Sequence, residues 1–430
     1  MTVLQLLSIL VCIAAMFGWV TVRWLRLPLT IGTVLLTVAA ALALEAVGSR
    51  FPGLHAAAIG VVHSIDFEAL ILHGMLSLLL FAGAFLLDLR ELYRERLVVS
   101  VLSVVGTIAV AAAMAALMHV CLPWCGLEAD WTACLFFGAL IAPTDPIAVL
   151  EMLKRVGAPA HLQAQLAGES LFNDGVGAVL FLTVLAASRG QTPSLAAVGW
   201  LMVLEVGGAL ALAVLLAWLT SWLMRSVDSY GVEILLTLAL ALGGYALAEA
   251  FRFSAPLEAV AAGISLRRFN QKLPRRAISV DSIDRFWEVI DGVLNSVLFV
   301  LLGLEVLAIT FRREFFWTGG IAIVASLAVR AAMLTLLLGA IVLARKALRR
   351  RQAPRGHVGL PAEIGRANSI AMLTWGGLRG GLSLALALAV PRTPGNAWIL
   401  PTTYFGVVFS IVVQGWSMDK FLQRFRSAAA

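Results

Sequence analysis

Charge is scarce in this sequence. Of 430 residues only 13% are Asp, Glu, Lys or Arg, while 61% are hydrophobic; soluble proteins carry about 25% charged residues. That shortage excludes a water-soluble enzyme domain, and apolar runs of roughly 20 residues recurring from end to end mark a chain that lives in a bilayer. Long polar linkers are missing as well, so no soluble domain is hidden between the runs. Cysteine is rare, with four in all; Cys12 and Cys134 sit in apolar runs, and Cys121 and Cys125 flank a short loop without zinc-type spacing. Free thiols are expected, with a local Cys121–Cys125 disulfide as the alternative. The six histidines form no cluster, and the first apolar run has no basic segment before it, so it reads as a span and not as a cleaved leader. The net charge of +7 does not point to nucleic acid, because the basic residues gather in short loops between apolar runs.

Those runs place spans near 2–22, 29–48, 65–87, 97–120, 131–151, 166–187, 195–223, 232–250, 256–266, 285–307, 315–343, 363–390 and 400–418, thirteen in all. The ninth is shorter than the ~17 residues a full crossing needs. With the N-terminus outside, 24 of the 32 basic residues fall in inward loops and six in outward loops, the asymmetry that orients membrane proteins. A cytoplasmic C-terminus follows, in an all-α polytopic protein forming one membrane domain, 1–430. The basic stretch at 345–355 reads as an ordinary inward loop, with attraction to anionic lipid as the alternative.

Two spans are interrupted. In the fifth, Pro143 and Pro146 flank Thr144 and Asp145; each proline removes a backbone donor and clashes with the preceding turn, so the helix breaks. In the twelfth, Gly376, Gly377, Gly380 and Gly381 surround Arg379, and each glycine lowers helix propensity by about 1 kcal/mol. Interrupted segments at corresponding positions of two halves point to a transporter binding site. Spans five and twelve are seven apart, an odd offset, so a repeat relating the halves at approximately 2–187 and 232–418 is inverted, with span seven between them.

The sixth span opens GESLFNDGV at 168–176. At about 100° per residue, Glu169, Asn173, Ser170 and Asp174 share an arc of roughly 140°, so one face of this helix is polar. A carboxylate at mid-membrane costs about 2.5–3.5 kcal/mol on insertion scales. Glu169, Asp174 and the neighbouring span's Asp145 therefore need cations or protons. Arg379 is expected to pair with one of the three, leaving capacity for a small cation held by oxygen ligands, as suits a hard ion such as sodium. Glu45, Glu205, Glu249, Glu258 and Glu305 lie within or near other spans, and Arg330 is expected to pair with one of them. Glu258, beside Pro256, is the candidate for a cation entry funnel.

Taken together, APTDPIAV (142–149), GESLFNDGV (168–176), WGGLRGGLSLALAL (375–388), LLFAGAFLLDLREL (79–92) and VVFSIVVQG (407–415) resemble the NhaP-type bacterial branch of sodium/proton antiporters, kin to eukaryotic sodium/proton exchangers. The resemblance runs over essentially the whole chain. It implies about thirteen helices, NhaA-like inverted repeats crossing at two unwound segments, a homodimer in the bacterial inner membrane, and exchange of a monovalent cation for a proton with no cofactor. It makes Asp174 the carboxylate that binds sodium or a proton. Thr144, Asp145 and Ser170 become its co-ligands, and Glu169, Asn173 and Arg379 a supporting network. The Asn173–Asp174 pair, in place of two aspartates, resembles the electroneutral members. A potassium-preferring or broad cation/proton antiporter is the alternative, and an intramembrane hydrolase using Asp145 and Asp174 a remote one.

Overall fold

The computed structural model describes residues 3–48, 74–128, 130–145, 160–190, 195–270, 277–308, 312–349, 366–391 and 393–418, with positions 51, 53, 60, 70, 149, 150 and 153. Within the bilayer every backbone group must find its partner inside the chain, which leaves helices as the solution for Leu/Ala/Val runs. The described residues are accordingly helical almost throughout. The first six helices are α1 (Val3–Val20), α2 (Leu29–Val47), α3 (Leu76–Phe85), α4 (Leu89–Ser100), α5 (Thr107–Cys121) and α6 (Trp131–Ile141). Next come α7 (Ala160–Ser188), α8 (Leu195–Arg225), α9 (Tyr230–Ala250), α10 (Ala255–Asn270) and α11 (Ala277–Leu304). The chain closes with α12 (Arg313–Arg349), α13 (Arg366–Trp375), α14 (Gly381–Leu388) and α15 (Ile399–Phe409). Among the described residues nine helical stretches are long and apolar enough to cross a membrane, and α3 and α6 are shorter apolar helices.

Both expected interruptions are present. The fifth span is helical only to Ile141, and the twelfth divides into α13 and α14 with an unwound segment between them. The ninth runs as α10 from Ala255 to Asn270, extending past the expected end, and Pro256 sits in its first turn, where the missing N–H leaves no bond unmade. All four cysteines are free thiols. Pro146 and the part of the basic stretch from 350 to 355 lie outside the described residues.

The chain forms two compact units, each built from two separate segments: unit 1 from Met1–Leu89 and Ala178–Ile309, unit 2 from Arg90–Gly177 and Thr310–Ala430. In unit 1, α10 packs against α3, α8 and α9, and α11 against α2 and α3. Small residues permit these approaches: a Cβ on Gly263 of α10 would press on the Phe81 carbonyl of α3, as at many helix contacts in membranes. In unit 2, α5 packs on α6, α12 on α5 and α15, and α14 on α6 and α15.

Candidate functional site

In unit 2 the two interrupted helices meet at their breaks. After α6 the chain turns out of helix through Pro143 and Thr144, and the Asp145 N–H donates to the Leu378 carbonyl at 2.8 Å, an isolated antiparallel bridge. One backbone donor and one acceptor freed by unwinding thus satisfy each other across the two unwound segments, as irregular backbone at membrane depth requires. The glycines around Leu378 make room for charged side chains. A Cβ on Gly380 would collide with the Asp145 carboxylate, and one on Gly377 with the Arg330 guanidinium.

The polar face of α7 lies against this crossing. Asn173 grips Thr144: its Nδ2 donates to Thr144 Oγ1 at 2.9 Å, and its Oδ1 accepts the Thr144 N–H at 3.4 Å. The Thr144 and Ser170 hydroxyls are 3.1 Å apart and share a hydrogen bond. Gly177, one helical turn beyond Asn173, lies against the Pro143 ring, where a Cβ would collide. Thr144, Ser170 and Asn173 are buried, whereas Asp145 and Asp174 are both partly accessible. The two aspartates lie within electrostatic reach of each other, and no hydrogen bond or ion pair from another described residue reaches the Asp174 carboxylate.

The third acid is disposed of differently from the sequence expectation. Glu169 is paired with Arg330 of α12, whose Nη1 and Nη2 reach the two carboxylate oxygens at 2.9 and 3.2 Å. Both are buried, and Arg330 Nε adds a bond to the Leu373 carbonyl at 3.1 Å. Such a fork-to-fork pair fixes geometry as well as charge. Arg330 therefore does not pair with Glu45, Glu205, Glu249, Glu258 or Glu305.

Arg379, expected on a carboxylate, instead donates from Nη1 to the carbonyls of Ala142 and Pro143, at 2.6 and 2.8 Å. The physical reason lies in the break itself: a helix that stops leaves its last carbonyls without intrahelical partners and presents the negative end of its dipole. A buried guanidinium satisfies both at the end of α6.

Two residues of the site have no counterpart in the sequence reading of individual roles. Ser410 Oγ accepts the Arg379 N–H at 2.9 Å and donates to Gln414 Oε1 at 2.6 Å. Gln414 Nε2 then donates to the Trp375 carbonyl at 3.1 Å. Ser410 and Gln414 thus close the loose backbone ends on either side of the unwound glycines. Their four-residue spacing within VVFSIVVQG puts both on one helix face, and that is the signal the sequence offers.

The description "Sodium/hydrogen exchanger, transmembrane" matches residues 9–424. The chain belongs to this exchanger family. It is 35% identical over 427 residues, 98% of its own length and 96% of the relative's, to a Na(+)/H(+) antiporter NhaP of Pseudomonas aeruginosa. It is 27% identical to a Na(+)/H(+) antiporter NhaH of Halobacillus dabanensis, covering 85% of each chain. Its fold is that of the sodium proton antiporter MjNhaP1 from Methanocaldococcus jannaschii, with a TM-score of 0.72, 17% identity and 99% of both chains covered. Sodium/hydrogen exchangers are transporters, so the hydrolase reading of Asp145 and Asp174 falls away. Of the residues singled out in the sequence of this exchanger, Thr144, Asp145, Glu169, Ser170, Asn173, Asp174 and Arg379 all belong to unit 2. Glu258 belongs to unit 1, in the first turn of α10.

Proposed function

We propose that this multi-pass membrane protein exchanges a monovalent cation, sodium first, for a proton at Asp174. The observation that carries this reading is the division of the acids. Arg330 neutralises Glu169, Arg379 is committed to carbonyl groups, and Asp174 is left without a cationic partner among the described residues, within electrostatic reach of Asp145 and one helical turn from Ser170 on the polar face of α7. Oxygen donors of this kind suit a hard cation. When the cation leaves, a proton relieves the repulsion between Asp174 and Asp145, so one site serves both ions in turn. Asn173 and the Glu169–Arg330 pair hold the ligands in place, and Arg379 keeps the break in α6 open.

The finer architecture is proposed with it: thirteen spans, inverted repeats related by the two unwound segments, the N-terminus outside, a homodimer in the bacterial inner membrane, and one cation exchanged per proton by alternating access. The pattern of two units, each built from one segment of either half, supports the repeat. Purified protein in vesicles carrying a pH dye and a preset proton gradient tests the function. Sodium addition dissipates the gradient if the reading holds. Dissipation by potassium but not sodium moves the cargo to potassium, and no response to any monovalent cation overturns antiport.

A further inference from the structure

We propose that Glu258 is a second proton-binding carboxyl group, buried in unit 1 and carried by residues that take no part in the Asp174 site. Glu258 is 0% exposed, and both its oxygens, like the neighbouring Ser254 Oγ, are buried without a hydrogen-bond partner among the described residues. Serine and glutamate are four residues apart at the start of α10, joined by the Glu258 N–H to Ser254 carbonyl bond at 2.9 Å, so the three partnerless oxygens belong to one turn. This is not a helix cap: Ser254 N–H is taken by the Glu205 carbonyl at 3.3 Å, and the Glu258 carboxyl reaches no N–H of its own first turn.

Space for the carboxyl is built into the opposite helix. A Cβ on Gly244 of α9 would collide with Glu258 Oε1, so glycine there leaves room for that one side chain. The titratable and charged groups on the packed elements are Glu205 and Arg225 on α8, Tyr230, Glu233, Tyr245 and Glu249 on α9, and Arg267 and Arg268 on α10, with none on α3. None of them makes an ion pair or hydrogen bond with Glu258.

An ionised carboxylate closed off from water, with no cation paired to it among the described residues, carries a desolvation cost that no described residue offsets. The proton is the smallest ligand that removes the charge, and it fits a site with one acid and one hydroxyl. Glu258 holds a proton while α10 is packed against α9, and releases it where the carboxyl meets water.

Infrared difference spectra between acid and alkaline buffer test this in the Asp174→Asn background, which removes the transport carboxylate. The expected result is a protonated-carboxyl band that persists in Asp174→Asn and is lost when Glu258→Gln is added. Should the added Gln variant fail to fold, Gly244→Ala serves instead, and it should shift the same band by pressing on Oε1. A spectrum unchanged by either substitution shows that Glu258 does not exchange a proton between the two buffers and overturns the proposal. A band displaced by sodium in the Asp174→Asn protein makes the site a cation site and overturns it equally. Because the readout needs no transport, its outcome is independent of whether Asp174 exchanges sodium.

Discussion

Replacing Asp174 with its isosteric amide separates transport from folding. Asp174→Asn removes the charge that a cation needs and the group that a proton needs, while relieving a desolvation cost. Exchange in vesicles should be lost and the melting temperature should be kept or raised; full transport by this variant would remove Asp174 from the mechanism. The two arginines divide just as sharply. Arg330→Ala leaves Glu169 buried and unpaired, a cost of about 3–5 kcal/mol. Arg379→Ala leaves two carbonyls short of a charged donor, about 1.5–3 kcal/mol for each such bond, yet water can re-enter the opened crossing and recover part of it. Thermal unfolding should therefore show the larger loss for Arg330→Ala, and Glu169→Leu with Arg330→Met should recover most of it, because a buried pair replaced by apolar groups is close to neutral. Equal losses, with no recovery in the double variant, would mean that the pair does not carry stability. That pairing was not legible in the sequence: 161 residues separate Glu169 from Arg330, and no local pattern says which of two buried arginines faces which acid.

At the scale of the element, the breaks matter more than the helices. Pro143 and the glycines around Arg379 declare them, because each acts on its own backbone within a turn, and so both interruptions were legible in the sequence. What closes the breaks was not readable, since the partners come from other elements: Leu378 for Asp145, Ser410 for Arg379, Gln414 for Trp375. The crossing predicts its own sensitivity. Gly380→Ala drives a methyl group into the Asp145 carboxylate, and it should lower apparent cation affinity by about tenfold or more, ~1.4 kcal/mol. Gly320→Ala on α12, where a Cβ meets open space, is the control and should leave affinity unchanged. Ser410→Ala strands the Arg379 N–H in a buried position, at a cost of about 1–3 kcal/mol, read as a lower melting temperature. If Gly380→Ala and Gly320→Ala behave alike in cation titrations, the Asp145 carboxylate is not held at the crossing.

For the whole molecule the question is how much charge crosses per cycle. Glu169 is locked in its pair with Arg330, and Asn173 carries an amide where a second acid would carry a proton. With Asp174 the one exchangeable carboxylate of the ion site, and Glu258 lying in unit 1 apart from it, each cycle moves one cation one way and one proton the other, and no net charge crosses. A second proton per cycle would couple transport to membrane potential by about 2.3 kcal/mol per 100 mV, which is easily read in vesicles clamped with potassium and valinomycin. Turnover is expected to ignore the imposed voltage. Its dependence on pH should be bell-shaped: at low pH protons occupy Asp174 and exclude the cation, and at high pH the return leg lacks a proton. Because both ligands compete for one group, raising sodium should carry the acid limb to lower pH and leave the alkaline limb in place. A rate that follows the imposed voltage would bring Asp145 into the proton count, since its carboxylate lies nearest to Asp174 in electrostatic terms and the pair would then titrate as one unit.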